Sequence, residues 1–202
     1  MSIAFYRISG RSIMPIAWGD YGDILQHGMT AHEDRGDNLT LERTGPFVPP
    51  ITLPGIGDML LTSDARKVLE SSGLTGFSLR PVKKAHIVEL HWEDWDFDAE
   101  EPQEYPESGE PEDYILERPH SPTAAAALGE ISEVVVPTTV TVLRPRRIVE
   151  SYRELKIDLS TWNGSDLIRS RDYGGILFSE HAREFFSEHW DLYVQFDQFS
   201  TT

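Results

Sequence analysis

The stretch "LLTSDARKVLESSGLTGFSLRPV", residues 60–82, decides the fold when it is set beside its echo at residues 177–199. Thr62 stands where a helix N-cap is wanted, Asp64 follows in the first turn, and Gly73 marks a stop. Ala65, Val68 and Leu69 fall on one helical face. The alternation of Phe77 and Leu79, resumed at Val82 past Pro81, predicts a strand with one buried side. A gapless shift of 117 residues sets Leu60 on Leu177, Thr62 on Ser179, Ala65 on Ala182 and Arg66 on Arg183. Val68 and Leu69 then meet Phe185 and Phe186, while Phe77, Leu79 and Val82 meet Val194, Phe196 and Phe199. The identities are few, so the agreement of cap, apolar face and following strand carries the comparison. Two generic helix–strand units and a true duplication both remain open.

Working outward, "IAFYRI" (3–8) has the β-branched and aromatic bias of a strand. Residues 18–38 are rich in Gly and Asp and read as loops. Four prolines within 46–54 predict extended chain crossing the surface rather than a central strand. Residues 85–92 and 133–145 read as further strands. In "WNGSDLIRSRDYGG" (162–175), Asn163-Gly164 turns the chain and Ser165 or Asp166 caps a short helical stub. The expected fold class is α+β, with mixed or antiparallel sheets and two similar helix–strand units. It is expected as one domain over 1–202, open to division into lobes at 1–90 and 131–202 around an acidic strand and loop at 91–130.

Composition narrows the function. The 202 residues hold 34 acids against 18 Lys and Arg, a net charge of -16, and no cysteine. Absent cysteine means no disulfide framework, no thiolate zinc site and no cysteine nucleophile. The first residues lack a charged region followed by an apolar one, as a signal peptide would need, and no apolar run is long enough for a membrane span. A cytoplasmic protein is expected. Twelve of the acids lie between Glu93 and Glu117 with no Lys or Arg among them, which leaves 22 acids against 18 bases elsewhere. So concentrated a charge makes a directional field and argues against a nucleic-acid partner.

Within this stretch, "DWDFD" alternates Asp94, Asp96 and Asp98 with Trp95 and Phe97, predicting a strand with aromatics on one face and carboxylates on the other. An EF-hand counted from Asp94 would need Gly at its sixth position and Glu at its twelfth, where Ala99 and Tyr105 stand. Residues Glu100 to Asp113, with three prolines, are expected to form a mobile acidic loop. In the last helix, His181 and Glu184 could share a metal, but the HExxH pattern is missing and His189 lies well round the helix. Nucleophile elbows, Walker loops and dinucleotide fingerprints are all missing. The basic run Arg144–Arg147, interrupted by Pro145, could neutralise part of the acidic field within the molecule.

Two segments carry a resemblance. Gly73, Leu74, Gly76 and Phe77 close the first helix; Trp162, Gly164, Asp166, Leu167 and Arg169 precede Ser179, Glu180 and Ala182 at the opening of the last. On these motifs, across residues 45–90 and 155–200, the chain resembles immunity proteins of bacterial polymorphic toxin systems, nearest the double-CXXCG immunity family and the related DUF1629-type immunity domains. It departs from the double-CXXCG family in lacking both CXXCG pairs, so a zinc knuckle is not expected. The resemblance implies neutralisation of a cognate toxin and carries over no catalytic residue.

The expected function is therefore a non-enzymatic inhibitor that uses no cofactor and no metal and covers the basic cleft of a toxin, a nuclease or another effector. The expected contact residues are Trp92, Glu93, Asp94, Trp95, Asp96, Phe97, Asp98, Glu100, Glu101, Glu104 and Tyr105, with the aromatics as energetic anchors. A hydrolase of unrecognised motif acting on a small molecule or glycan, and a non-inhibitory scaffold, are the alternatives.

Overall fold

The computed structural model describes residues 3–10, 13–30, 38–55, 57–137, 139–143, 155–170 and 172–199. The basic run Arg144–Arg147 lies outside them. Strand β1 (Phe5–Ile8) leads through a 3₁₀ turn (Ile16–Trp18) to helix α1 (Asp20–His27) and strands β2 (Met29–Thr30), β3 (Thr40–Gly45) and β4 (Ile51–Thr52). Next come β5 (Leu60–Thr62), α2 (Ser63–Glu70), β6 (Ser78–Pro81) and β7 (Lys83–Glu89). Helices α3 (Asp113–Leu116) and α4 (Pro122–Ala127) precede β8 (Ile131–Val135), β9 (Thr141–Leu143) and β10 (Lys156–Asp158). The chain closes with β11 (Leu167–Arg169), β12 (Ile176–Ser179), α5 (Glu180–Trp190) and β13 (Phe196–Phe199). The fold is α+β, with open antiparallel and mixed sheets. None of the described helices is long and apolar enough to cross a membrane.

The two helix–strand units are built alike. Thr62 leaves β5 in an extended conformation and its Oγ1 accepts a hydrogen bond from the Ala65 N–H at 3.4 Å. Ser179 leaves β12 in the same way, and its Oγ accepts from the Ala182 N–H at 3.1 Å. Ala65 and Leu69 of α2, like Ala182 and Phe186 of α5, turn into the core. The sheets repeat the pattern. One has the strand order β4-β5-β8-β6 and the other β11-β12-β1-β13. In each, the strands before and after the helix are separated by a third strand antiparallel to both. That middle strand is β8 in the first sheet and β1 in the second, so the two sheets cross the sequence boundaries near residues 90 and 131.

Both sheets place buried side chains on two faces, since successive side chains of a strand point to opposite sides. Leu61 and Val134 of one sheet and Leu167 and Phe178 of the other meet in a common core, joined by Leu69, Phe186 and Trp190. On its other face the second sheet packs Phe5, Ile168, Leu177 and Phe199 against Val142 and Ile157 of the β9–β10 pair. Leu60, the partner of Leu177 in the repeat, likewise faces away from the common core, toward Leu39 and Leu41. At Gly76 (φ +91°) a Cβ would lie 2.2 Å from the Leu167 carbonyl oxygen, so only glycine lets the two units approach this closely.

Three local expectations are corrected. Residues 20–27 are helical despite their Gly and Asp content: a Cβ on Gly22 would stand 3.0 Å from that of Met14, so the residue that weakens helix propensity is what lets α1 pack. Leu167 and Ile168 belong to a strand, not a helical stub: the Asp166 carboxylate accepts from Thr75 and from Ser179, the N-cap of α5, rather than capping its own segment. The proline-rich 46–54 region does supply an edge strand, β4, but Pro49, Ile51 and Thr52 are buried rather than on the surface.

Strand β3 runs parallel to β7 and carries a fully buried cation, Arg43. Its guanidinium donates to the Gln26 carbonyl and, at 3.4 Å, to Thr52 Oγ1; no carboxylate pairs with it among the described residues. Burial lowers its pKa to about 9. His27 lies close by and accepts the Leu53 N–H on Nδ1 at 3.1 Å, which fixes the other ring nitrogen as the protonated one. Desolvation, then the Arg43 charge, lowers the His27 pKa to about 4. A depressed folded-state pKa contributes stability that is complete above the unfolded value, about 6.5, and is lost as pH falls toward 4. The shift corresponds to at most about 3 kcal/mol, reduced by solvent screening because His27 is only partly buried. The urea midpoint should fall between pH 6.5 and 4, and His27→Asn should flatten that slope; an unchanged slope would refute the account.

Candidate functional site

Strand β7 delivers the chain to the acidic stretch. Leu90 N–H still bonds the Gly45 carbonyl at 3.0 Å, and then Trp92–Asp94 turns as a 3₁₀ helix. The predicted strand at 93–98 is not present, since no neighbour offers it a ladder. Asp96 Oδ1 instead accepts the Asp98 N–H at 3.0 Å in an Asx turn. The alternation itself survives the change of backbone. Trp92, Trp95 and Phe97 turn inward, while Asp94, Asp96 and Asp98 are exposed.

The inward residues join a continuous chain of eight rings. Phe47 meets Trp92 at 5.2 Å, Trp92 meets Phe97 at 6.1 Å, and Phe97 meets Trp18 at 5.9 Å. Trp18 then leads to Trp95 (6.2 Å), Tyr114 (6.2 Å), Tyr21 (6.0 Å) and Tyr105 (5.0 Å). Offset and edge-on contacts of this kind add about 0.5–1.5 kcal/mol each beyond area burial. Trp92 is 0% exposed, which corrects its expected place as a contact anchor: it is a foundation. Trp95 and Phe97 serve the same cluster. Tyr105, at 46% exposed, is where the ring chain reaches solvent.

Residues 100–113, expected as a mobile loop, are packed. Pro102 and Pro106 are buried. Trp18 Nε1 donates to the Ala99 carbonyl at 3.0 Å, Tyr21 Oη to that of Gly109, and Tyr114 Oη to that of Glu104. Three aromatic donors thus hold three points of the loop. Burial first, and Glu104 next, push the Tyr114 phenol well above its ordinary pKa. Arg118 neutralises Glu104 at 2.7 Å and lies over the Tyr114 ring. Asp94, Asp96, Asp98, Glu100 and Glu101 have no ion-pair partner among the described residues. Glu93 is half-buried, with Oε1 3.3 Å from His91 Nδ1.

Between α1 and this loop lies a groove of about 730 Å³. Trp18, Tyr21 and Tyr105 form its aromatic wall; Asp20, Glu100, Glu101 and Glu110 supply carboxylates, and no Lys or Arg lines it. The sequence reading missed Asp20 and Tyr21, which lie about 80 residues upstream of Glu100. The only signal was the aromatic–acid pairing in "WGDYGD".

His91, Glu93 and Asp94 each offer a ligand atom, all within 4.8 Å of one another, at the rim of this surface. It is the only such group among the described residues, and the sequence reading did not single it out. The histidines of α5 have other partners: His181 Nδ1 lies 3.2 Å from Asp166, and His189 bonds the Phe185 carbonyl and stacks on that ring. No protein-family model and no curated protein matches the chain.

The two classes of side chain should separate cleanly on substitution. Trp92→Ala, which empties a fully buried site, should cost about 3–5 kcal/mol in urea unfolding, whereas Asp94→Lys should change stability by no more than about 0.5 kcal/mol. Similar losses from both would contradict the division into foundation and surface.

Proposed function

We propose that this chain is an immunity protein that binds a cognate toxin and covers a basic surface on it. The observation that carries the reading is a row of carboxylates, from Asp94 to Glu101, exposed without cationic partners among the described residues and seated on a packed aromatic base. Toxins that cut nucleic acid hold phosphate with Lys and Arg, so a fixed row of carboxylates can occupy the same positive cleft. Charge complementarity steers the encounter, raising association rates to the order of 10⁸–10⁹ M⁻¹s⁻¹ at low salt from about 10⁵–10⁶ without steering. Fast capture suits an inhibitor whose target is lethal to the cell that makes it. The resemblance at Gly73–Phe77 and Trp162–Ala182 points the same way.

The test is protection of cells that express the toxin domain encoded beside this chain. Wild type should restore growth, and the variant with Asp94, Asp96, Glu100 and Glu101 all changed to Lys should not. The association rate of the purified pair should fall at least tenfold between low and high salt. Full protection by the reversed variant, or a rate indifferent to salt, would sink the acidic-surface reading.

A further inference from the structure

We propose that the groove between α1 and the 100–111 loop is the receptor for an arginine-bearing segment of the protein partner. This inference rests on the reading of the chain as a toxin-binding protein and names the chemistry that the site selects. The groove is more than a local run of acids. Its carboxylates come from three separate places: Asp20 at the start of α1, Glu100 and Glu101 on one arm of the loop, and Glu110 on the other. Each is exposed, and none has a cationic partner among the described residues.

The aromatic wall decides which cation fits. Tyr105 presents a ring 46% exposed, braced edge-on by Tyr21 at 5.0 Å. A guanidinium is planar and weakly hydrated, so it can stack on such a ring while its fork of N–H donors meets carboxylates two at a time. An ammonium is a compact, strongly hydrated point charge and gains less from the same wall. The Tyr105 phenol is pushed above its ordinary pKa by desolvation first, and then by the neighbouring Glu101 and Tyr21.

A neighbouring residue argues for a protein segment over a free polyamine. Ile16 is 99% exposed on the 3₁₀ turn whose next two residues, Ala17 and Trp18, line the groove. Ile16 lines the adjoining cleft with Met14 and Gly19, so a protein segment seated in the groove has apolar surface beside it to cover, which a free polyamine would leave bare. The occupant therefore carries an arginine next to an apolar residue.

The probes are two amidated peptides of alternating arginine and leucine or lysine and leucine, with spermine as the small-cation control, titrated into ¹⁵N-labelled protein at low salt. The arginine peptide should shift the Trp18 indole and the Gly109 and Glu110 amides and bind more tightly than the lysine peptide. Tyr105→Ala should weaken it about two- to fivefold, and Glu100→Gln with Glu101→Gln should weaken it further; circular dichroism checks that each variant is folded. No binding would overturn the proposal. So would equal binding of both peptides and spermine untouched by Tyr105→Ala, or shifts centred on Asp94–Asp98. With the cognate toxin the two readings separate. Protection by wild type that survives both groove variants overturns the groove alone, whereas arginine-selective binding without protection overturns the immunity reading and leaves the groove standing.

Discussion

The architecture turns on one carboxylate. Asp166 Oδ2 accepts the N–H and hydroxyl of Thr75 at 2.9 Å each, just after α2, and its Oδ1 accepts the Ser179 hydroxyl at 2.9 Å at the start of α5. Its backbone closes the circle, with N–H donating to Thr75 Oγ1 and its carbonyl accepting the Ser179 N–H at 2.8 Å. One side chain thereby ties the exit of the first unit to the entry of the second, and the Leu167 N–H to Thr75 carbonyl bond continues the seam at 3.0 Å. Burial alone would raise the Asp166 pKa, but the hydrogen bonds from Ser179, Thr75 and His181 outweigh it and hold the carboxyl below the ordinary range. Because Ser179 is at once the α5 cap and an Asp166 ligand, helix start and sheet docking are set by the same hydroxyl.

What the sequence made legible is what is local. Cap, apolar face and following strand lie within about 20 residues of one another, so both helix–strand units could be read from spacing. The sheet order could not be. The middle strand of each sheet comes from outside its unit, β8 some 50 residues after β6 and β1 from the far end of the chain. Nothing in "IAFYRI" specifies that it will lie between β12 and β13. Asp166 was misread for the same reason, since a carboxylate that caps the next segment looks identical in sequence to one that holds the cap of a helix 14 residues on. Helix α1 was hidden by Gly22, whose low propensity is overridden by packing against Met14.

The acidic stretch shows how far periodicity reaches. A period of two correctly sorted Trp95 and Phe97 from Asp94, Asp96 and Asp98, but it would have put the buried Trp92 on the carboxylate side. It could not say what would receive the aromatic side. A strand needs a ladder partner, and here the inward rings find Trp18, Phe47 and Tyr114 instead, from elements distant in sequence. Aromatic residues interleaved with acids look like interface anchors in a sequence, yet burying large rings is also the commonest way to build a core. Only Tyr105 stays both aromatic and accessible, and its groove mates Asp20 and Tyr21 come from outside the acidic run.

Packing so many like charges together opposes folding through self-repulsion, and a flexible loop would relieve it by spreading. The molecule does the reverse. Buried prolines, three aromatic N–H or O–H donors and the Arg118–Glu104 pair pin residues 99–109 against the 3₁₀ turn, α1 and α3. Holding the carboxylates in place sacrifices stability that a mobile tail would keep, but it preserves a field of fixed direction and a groove of fixed shape. Preorganisation of this kind lowers the ordering cost of any association at this surface, which is what the proposed capture of a basic partner requires. The aromatic chain is the element that makes the exchange possible, since it offsets the repulsion from beneath while its last ring, Tyr105, stays available at the groove wall.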